Sequence, residues 1–195
     1  MESTKEPLDK LVEELGVCKQ ISDVLFVVFP DNEFAQHFVL FSDAIKHPNS
    51  LEPFISDLRN QFNIGVFSHT MVAIPRFLDL DNFEIFTRDY VRRCCDIVEW
   101  ITKRKVAGRL NLRPEIEQKP LGAVIGAFQT KCESRFPDGL LDNLVLFNKA
   151  IYCPAKHEMV TTEEERKYSV ADAIAITFIA VRLCQQLDDL QKHLF

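Results

Sequence analysis

The side chains with the clearest chemical potential in this sequence form a run of cations between Arg88 and Arg113. The run contains eight Lys or Arg residues and three carboxylates, so it carries a net charge of +5 in a chain whose total is −6. Clustered cations bind phosphates and other anions, and a basic segment in an acidic chain is typical of a contact surface for such a partner. The predicted binding residues are Arg93, Arg104, Lys105, Arg109 and Arg113.

The same cations have an ordinary explanation as the solvated surface of a helix, or as the complement of an acidic surface elsewhere in the molecule. Opposite charges four residues apart stabilise a helix by about 0.2–0.5 kcal/mol per pair. The pairs with this spacing are Glu84 with Arg88, Arg92 with Asp96, and Glu99 with Lys103. Trp100 lies among these residues. We expect it to be a buried anchor, and stacking on a nucleic-acid base is the alternative.

A second group of reactive side chains occupies the segment 148–158, at the end of a predicted helix. It combines amide, amine, phenol, imidazole and carboxylate groups, which donate, accept or transfer protons. The candidate catalytic residues are Lys149, Lys156 and His157, with His157 as a general base. The ordinary alternative is a helix end whose basic residues interact with the last carbonyl groups.

This segment, with Asn148-Lys149 and Lys156-His157 near a helix end, resembles HEPN-type domains. These are all-α proteins, many of them ribonucleases or nucleotide-binding partners. The motif of that family is an Arg followed by a polar residue and, a few positions later, a His. Here Arg59 precedes His69 by ten residues and Lys149 precedes His157 by eight, so the motif is absent. The resemblance implies a helical protein that binds or cleaves RNA, and it transfers no catalytic role to any residue.

Other catalytic and metal-binding patterns are missing from the sequence. It contains no phosphate-binding glycine loop, no dinucleotide-binding glycine motif, no nucleophile elbow and no zinc-protease motif. The six cysteines include no Cys-x-x-Cys pair, and Cys94, Cys132 and Cys184 fall on apolar helix faces. We therefore predict no metal site and no cofactor, and the absence of a motif argues against an enzyme.

Apolar residues recur every three or four positions along most of the chain, which predicts helices. About seven helices are expected, over 7–15, 34–45, 50–62, 81–106, 121–136, 140–151 and from 169 to near the end. Capping-box spacings begin the fourth at Asp81 and the last at Ser169, whose wide apolar face predicts a central helix. Gly108 is the expected end of the fourth helix, and Pro154 is expected to stop the sixth.

These elements predict an all-α fold, in which residues 1–195 form a single-domain antiparallel helical bundle and 1–6 form a flexible tail. Short strands are the alternative for 20–30 and 65–75, where periodicity does not decide. The 47% apolar content is sufficient for a core without disulfides. No apolar stretch is long enough to span a bilayer and no secretory signal is evident, so a cytoplasmic protein is expected.

The leading functional hypothesis is a non-catalytic interaction or regulatory protein that self-associates or binds a protein partner. It rests on the apolar face of the last helix and on the small residues between Gly122 and Ala127, which permit close approach of another backbone. The alternative is a nucleic-acid-binding or RNA-cleaving helical protein that uses the basic run together with the 148–158 segment. A small-molecule enzyme with an aromatic-lined pocket is a third possibility.

Overall fold

Helices account for 83% of the residues that the structure describes, and no strand occurs among those residues. The structure is a computed structural model, and it describes residues 10, 12–14, 16–30, 83–116, 118–156 and 168–194. The chain is therefore all-α, as its hydrophobic periodicity predicts. Within these ranges, no helix combines the length and the apolar character that crossing a membrane requires.

Two long helices and a buried C-terminal helix dominate the described part of the chain. In chain order the segments are α1 (Lys19–Val28), α2 (Phe83–Trp100), a first π-helical segment (Ile101–Val106), α3 (Ala107–Arg109), α4 (Arg113–Ile116), α5 (Leu121–Lys131), a 3-10 turn (Glu133–Arg135), α6 (Leu140–Phe147), a second π-helical segment (Asn148–Tyr152), α7 (Cys153–Lys156) and α8 (Val170–His193). The backbone stays helical across both π-helical segments. They therefore join their neighbours into two continuous helices, 83–109 and 140–156.

The last helix, α8, lies at the centre of the core, as its wide apolar face predicts. Every residue from Ala171 to Val181 is buried, and α8 packs against α1, α2 and the first π-helical segment. Inside this contact the hydroxyl oxygens of Tyr90 and Thr177 lie 2.7 Å apart. Thr177 donates its own proton to the carbonyl of Ala173, so Tyr90 is the donor to Thr177.

The predicted capping box at the start of α8 is confirmed, and it also holds α1. Asp172 Oδ2 accepts from the Ser169 N–H at 2.9 Å, and Ser169 Oγ accepts from the Asp172 N–H at 3.0 Å. The other carboxylate oxygen, Asp172 Oδ1, accepts a hydrogen bond at 2.7 Å from the N–H of Cys18, the N-cap residue of α1. One buried carboxylate therefore joins the N-terminal ends of two helices that are distant in sequence. The other predicted capping box begins at Asp81, outside the described residues.

The apolar run within 20–30 forms helix α1, and the alternative of a strand is wrong for this segment. The residues buried on one side of α1 are Ile21, Val24, Leu25 and Val28. This is the spacing of a helix face, whereas a strand would bury alternate residues. The short apolar run alone does not distinguish a helix from a strand, and the packing of this face against α8 favours the helix. The other proposed strand, 65–75, lies outside the described residues, as do the helices predicted over 34–45 and 50–62.

The end of helix 83–109 differs from the prediction, because Gly108 lies inside the helix and Asn111 takes the left-handed conformation. Asn111 has a φ of 57°. The N–H of Leu112 bonds the carbonyl of Ala107 at 2.9 Å, and the N–H of Asn111 bonds that of Gly108 at 3.3 Å. This pair of bonds is a Schellman motif, in which asparagine tolerates the left-handed position that glycine usually occupies. The core contact of Leu112, which is buried, fixes where the motif forms.

Pro154 does not stop the sixth predicted helix, which continues to Lys156. A proline inside an α-helix lacks the N–H donor and clashes with the carbonyl four residues earlier. The second π-helical segment lies immediately before it, and there the N–H of Cys153 bonds the carbonyl of Asn148, five residues back. The wider turn moves the preceding carbonyls away from the proline ring, so the helix passes through Pro154.

Candidate functional site

The long helix 83–109 presents one face to the core and the opposite face to solvent. From position 89 to position 104 the exposed residues follow at intervals of four, three, four and four positions, each close to one turn of an α- or π-helix, which keeps them on one side. They are Asp89, Arg93, Asp96, Trp100 and Arg104. The opposite side carries Tyr90, Cys94, Val98 and Ile101, all buried. Two of the predicted binding residues, Arg93 and Arg104, therefore flank Trp100 on a common surface, which we call the Trp100 face.

The prediction that Trp100 is a buried anchor is wrong, because its indole is 48% exposed. Successive residues of an α-helix are rotated by about 100°, so Trp100 points away from Val98, which faces α8. The ammonium of Lys105 lies 5.7 Å from the centre of the indole ring, in a cation–π contact. Lys105 Nζ also lies 3.7 Å from Asp188 of α8. Lys105, a predicted binding residue, is thus held beside the indole.

The first π-helical segment spreads three consecutive cations around the helix. Its wider turn is shown by the bond from the Ala107 N–H to the carbonyl of Thr102, five residues back. The buried hydroxyl of Thr102 donates to the carbonyl of Val98 at 2.7 Å, a bond to the preceding turn at the start of the π-helical segment. π-Helical turns inside α-helices are frequent at functional sites.

The three cations of this segment have different surroundings. Lys103 pairs with Glu99 at 2.5 Å, as their spacing predicts. Lys105 approaches Asp188 and the indole. Arg104 is exposed on the Trp100 face. The explanation of the basic run as an ordinary helix surface with pairs four residues apart therefore applies to Lys103.

The two segments selected from the sequence contact each other in the fold. Lys156 at the end of helix 140–156 forms an ion pair with Asp96 of helix 83–109. Arg92 donates through Nε to the carbonyl of Ala155 at 2.9 Å. The predicted pairing of Arg92 with Asp96 stays a prediction, and both residues also contact helix 140–156. The contact places Lys156 at the edge of the Trp100 face and neutralises the carboxylate next to Trp100.

Tyr152 lies in the same contact, against Glu99. Burial, followed by the hydrogen bond to Glu99, raises the pKa of the Tyr152 hydroxyl above its ordinary value. Lys156 Nζ lies 6.0 Å from the centre of the Tyr152 ring. A phenol with a raised pKa stays protonated at neutral pH, so Tyr152 donates to Glu99 and holds the two helices together.

The remaining predicted site residues are separate from this contact or only partly described. Arg109 is exposed at the end of helix 83–109, and Lys149 is exposed on the second π-helical segment. Arg113 begins α4. His157 lies outside the described residues. Among the described residues, no group of three or more His, Cys, Asp or Glu side chains is placed to hold a metal ion.

A cavity of about 400 Å³ lies at the other end of α8. Arg135, Gln186 and His193 give it polar walls, and Phe136 and Leu190 give it apolar ones. Gln186 Oε1 is buried and has no hydrogen-bond partner within the described part of the chain. The cavity is large enough for a small molecule, which was the third possibility raised by the sequence. Of the candidate catalytic residues, the two that the structure describes, Lys149 and Lys156, do not line it.

The sequence reveals the basic run. Three features appear only in the fold: the exposure of Trp100, the contact of Lys156 with Asp96, and the two π-helical segments. Arg93 and Arg104 lie seven residues before and four residues after Trp100, about two turns and one turn of a helix, and this spacing is the signal from which the surface is predictable. Comparison of the chain with protein-family models, with curated proteins and with solved structures gave no match.

Proposed function

We propose that this chain is a non-catalytic helical interaction protein that binds an anionic partner through the Trp100 face. The observation that supports this most strongly is the half-exposed indole between Arg93 and Arg104. Tryptophan and arginine are the residues most enriched at the energetic centres of interfaces. Covering about 100 Å² of indole surface contributes about 2–3 kcal/mol to binding, which is a large share of a micromolar affinity.

Charge supports an anionic partner at this face. The ion pairs of Lys156 with Asp96 and of Lys103 with Glu99 neutralise two carboxylates that lie within four residues of Trp100 in the sequence. Arg93 and Arg104 are exposed on the same side of the helix as Trp100. Outside the segment 88–113 the chain carries a net charge of −11, since the total is −6 and the segment contributes +5. The acidic remainder repels an anion, so it directs the partner towards this face.

Self-association receives less support, because both surfaces that suggested it pack against other segments of the same chain. The apolar face of α8 is covered by α1 and α2. A side chain at Gly122 would lie 3.1 Å from Nδ2 of Asn148, so the small residue accommodates a neighbouring helix of the same molecule. Light scattering tests what remains of this hypothesis. A concentration-independent monomer removes it, and a stable dimer restores it.

A second candidate function is cleavage of RNA bound at this face, by Lys149 and Lys156 with His157. It is favoured by one observation, the position of Lys156 against Asp96 at the edge of the Trp100 face. RNA recovered from the binding assay is examined for cleavage. Loss of cleavage in Lys149→Ala and His157→Ala, with binding retained, supports a catalytic role, and intact RNA with the unaltered protein excludes it.

The proposal is tested by reversing the two exposed charges. The double variant Arg93→Glu/Arg104→Glu is compared with Lys19→Glu, which alters an exposed lysine on α1. Binding to heparin, single-stranded DNA and duplex DNA is measured by fluorescence anisotropy at low salt. We expect the double variant to lose at least about tenfold in affinity, since each charge-assisted contact contributes about 1.5–3 kcal/mol. Equal losses in both variants, or no binding by the unaltered protein, would refute the proposal.

A further inference from the structure

Building on the proposed function, we infer that the anionic partner is single-stranded nucleic acid and that one of its bases stacks on Trp100. Proteins that bind single strands combine a cationic track for the backbone with aromatic rings on which bases stack. The Trp100 face provides both, on one side of one rigid helix. A folded acidic protein would use the charges, but it does not offer a series of flat bases along an anionic backbone.

The indole is held in place before any ligand arrives. Lys105 lies over the ring, and Asp188 of α8 lies 3.7 Å from the same ammonium. A contact of this kind restricts rotation of the ring and occupies one side of it. The exposed surface of Trp100 is then available to a base, and a pre-oriented ring loses less conformational entropy on binding.

The two arginines lie at suitable positions for the sugar-phosphate backbone. Arg93 and Arg104 are eleven residues apart, which corresponds to about 16 Å along a helix with a rise of 1.5 Å per residue. Each guanidinium offers a fork of donors that matches two phosphate oxygens. A strand of several nucleotides that crosses the face therefore contacts both arginines while a central base reaches Trp100.

A duplex fits this face less well. Its bases are stacked on each other and expose no flat surface to an indole, whereas those of a single strand are free to unstack. Asp89 is also exposed on the same side of the helix, beyond Arg93. A helix inserted into a groove would bring that carboxylate towards the phosphates of one strand. A flexible single strand can bend away from the helix beyond Arg93, which a stiff duplex does not do.

The inference is tested with the intrinsic fluorescence of the protein, because Trp100 is the single tryptophan of the chain. The full chain is titrated with oligo(dT) and with a DNA duplex of the same length at low salt. We expect oligo(dT) to quench the emission at micromolar concentration and to bind at least about tenfold more tightly than the duplex. Equal quenching by both, or none by oligo(dT), overturns base stacking.

Variants separate stacking from charge. Trp100→Ala is expected to weaken oligo(dT) binding about 5- to 150-fold, measured by anisotropy, and Trp100→Phe to retain part of it. Val27→Ala serves as the control, because it shortens another apolar side chain of similar exposure, 46%. An unchanged affinity in Trp100→Ala, together with a loss in Arg93→Glu/Arg104→Glu, overturns the inference and leaves the proposed function intact. Failure of heparin and all nucleic acids to bind removes both.

Discussion

At the scale of single residues, Trp100 is the largest apolar side chain that is exposed in the described part of the chain. Its indole is 48% exposed although its hydrophobicity favours burial. The helix offers core positions to Val98 and Ile101, and Trp100 lies between them on the outer side. A large apolar side chain that is exposed among cations is typical of a binding surface.

The cations around Trp100 lead to a prediction for collisional quenching of its fluorescence. Iodide, an anion, should quench the folded protein more efficiently than caesium, because Arg93, Arg104 and Lys105 raise the local concentration of anions. In the unfolded chain the cations next to Trp100 in the sequence stay near it, so a weaker preference for iodide should persist. Stern–Volmer plots for both ions, in buffer and in urea, measure this. Stronger quenching of the folded protein by caesium would contradict the charge arrangement described for this face.

Asp172 leads to a prediction about stability, since its carboxylate accepts hydrogen bonds from Cys18 and Ser169. Asp172→Ala should reduce the free energy of unfolding by about 2–4 kcal/mol, because it removes a cap and leaves the two N–H groups without these partners. Asp172→Asn keeps one oxygen and should lose less. Urea unfolding provides the values, with Asp138→Ala in an exposed turn as the control, expected within about 0.5 kcal/mol of the unaltered protein. Equal stabilities for Asp172→Ala and the control would show that the two helix ends are held by other contacts.

At the scale of elements, both π-helical segments coincide with the segments that the sequence marks as chemically interesting. The first contains Lys103, Arg104 and Lys105, and the second contains Lys149 and Tyr152. The second also explains how Pro154 remains inside a helix. Each segment changes the rotation of the residues after it. The partners of Arg92 and Lys156 lie on another helix, so intervals of four residues within one helix do not predict them.

The two glycines of α5 provide a matched pair of substitutions. A methyl group at Gly126 would meet no atom within 4 Å, whereas one at Gly122 would lie 3.1 Å from Asn148 Nδ2. Gly126→Ala should therefore stabilise the protein by about 0.5–1 kcal/mol, through the higher helix propensity of alanine. Gly122→Ala should gain less or destabilise, because Asn148 must move. Thermal and urea unfolding of both variants decide this, and a larger gain at Gly122 would contradict the packing of α5 on helix 140–156.

Elements that depend on local sequence were predictable, and elements that depend on distant segments were not. The capping box of Ser169 and Asp172, the pair of Glu99 with Lys103, and the burial of α8 follow from spacing within one helix. The apolar run of α1 is too short for its periodicity to exclude a strand. Its packing on α8 is what favours a helix. The bond of Asp172 to Cys18 likewise depends on how the helices are arranged in space.

At the scale of the whole molecule, buried phenols and thiols in the core should make stability depend on alkaline pH. Burial raises the pKa of Cys94 to about 12 from an ordinary value of 9.0, and burial is also the main cause of the raised pKa values of Tyr90, Cys95 and Cys184. These groups lose protons first in the unfolded chain. Their contribution to stability is therefore complete below about pH 9 and is lost as the pH rises towards 12.

Urea unfolding between pH 7 and pH 11 measures this loss. The free energy of unfolding should be nearly constant up to about pH 8.5 and then fall, with each ionising group contributing a slope of up to about 1.4 kcal/mol per pH unit. Cys94→Ala should be less stable at pH 7 and should show a shallower alkaline slope. A free energy of unfolding that stays constant to pH 11 would contradict the burial of these side chains in a water-free core.

The whole molecule also has an asymmetric charge distribution, so the binding of an anionic strand should depend on salt. This dependence tests the central claim that the Trp100 face binds such a strand. The most direct measurement is the salt dependence of oligo(dT) binding for the unaltered protein and for Arg93→Glu/Arg104→Glu. Each phosphate neutralised on a single strand contributes about 0.7 to the slope of log K against log salt. If Arg93 and Arg104 each contact one phosphate, the slope of the double variant should be smaller by about 1.4. An identical slope in both proteins would contradict the claim and place the contact elsewhere on the chain.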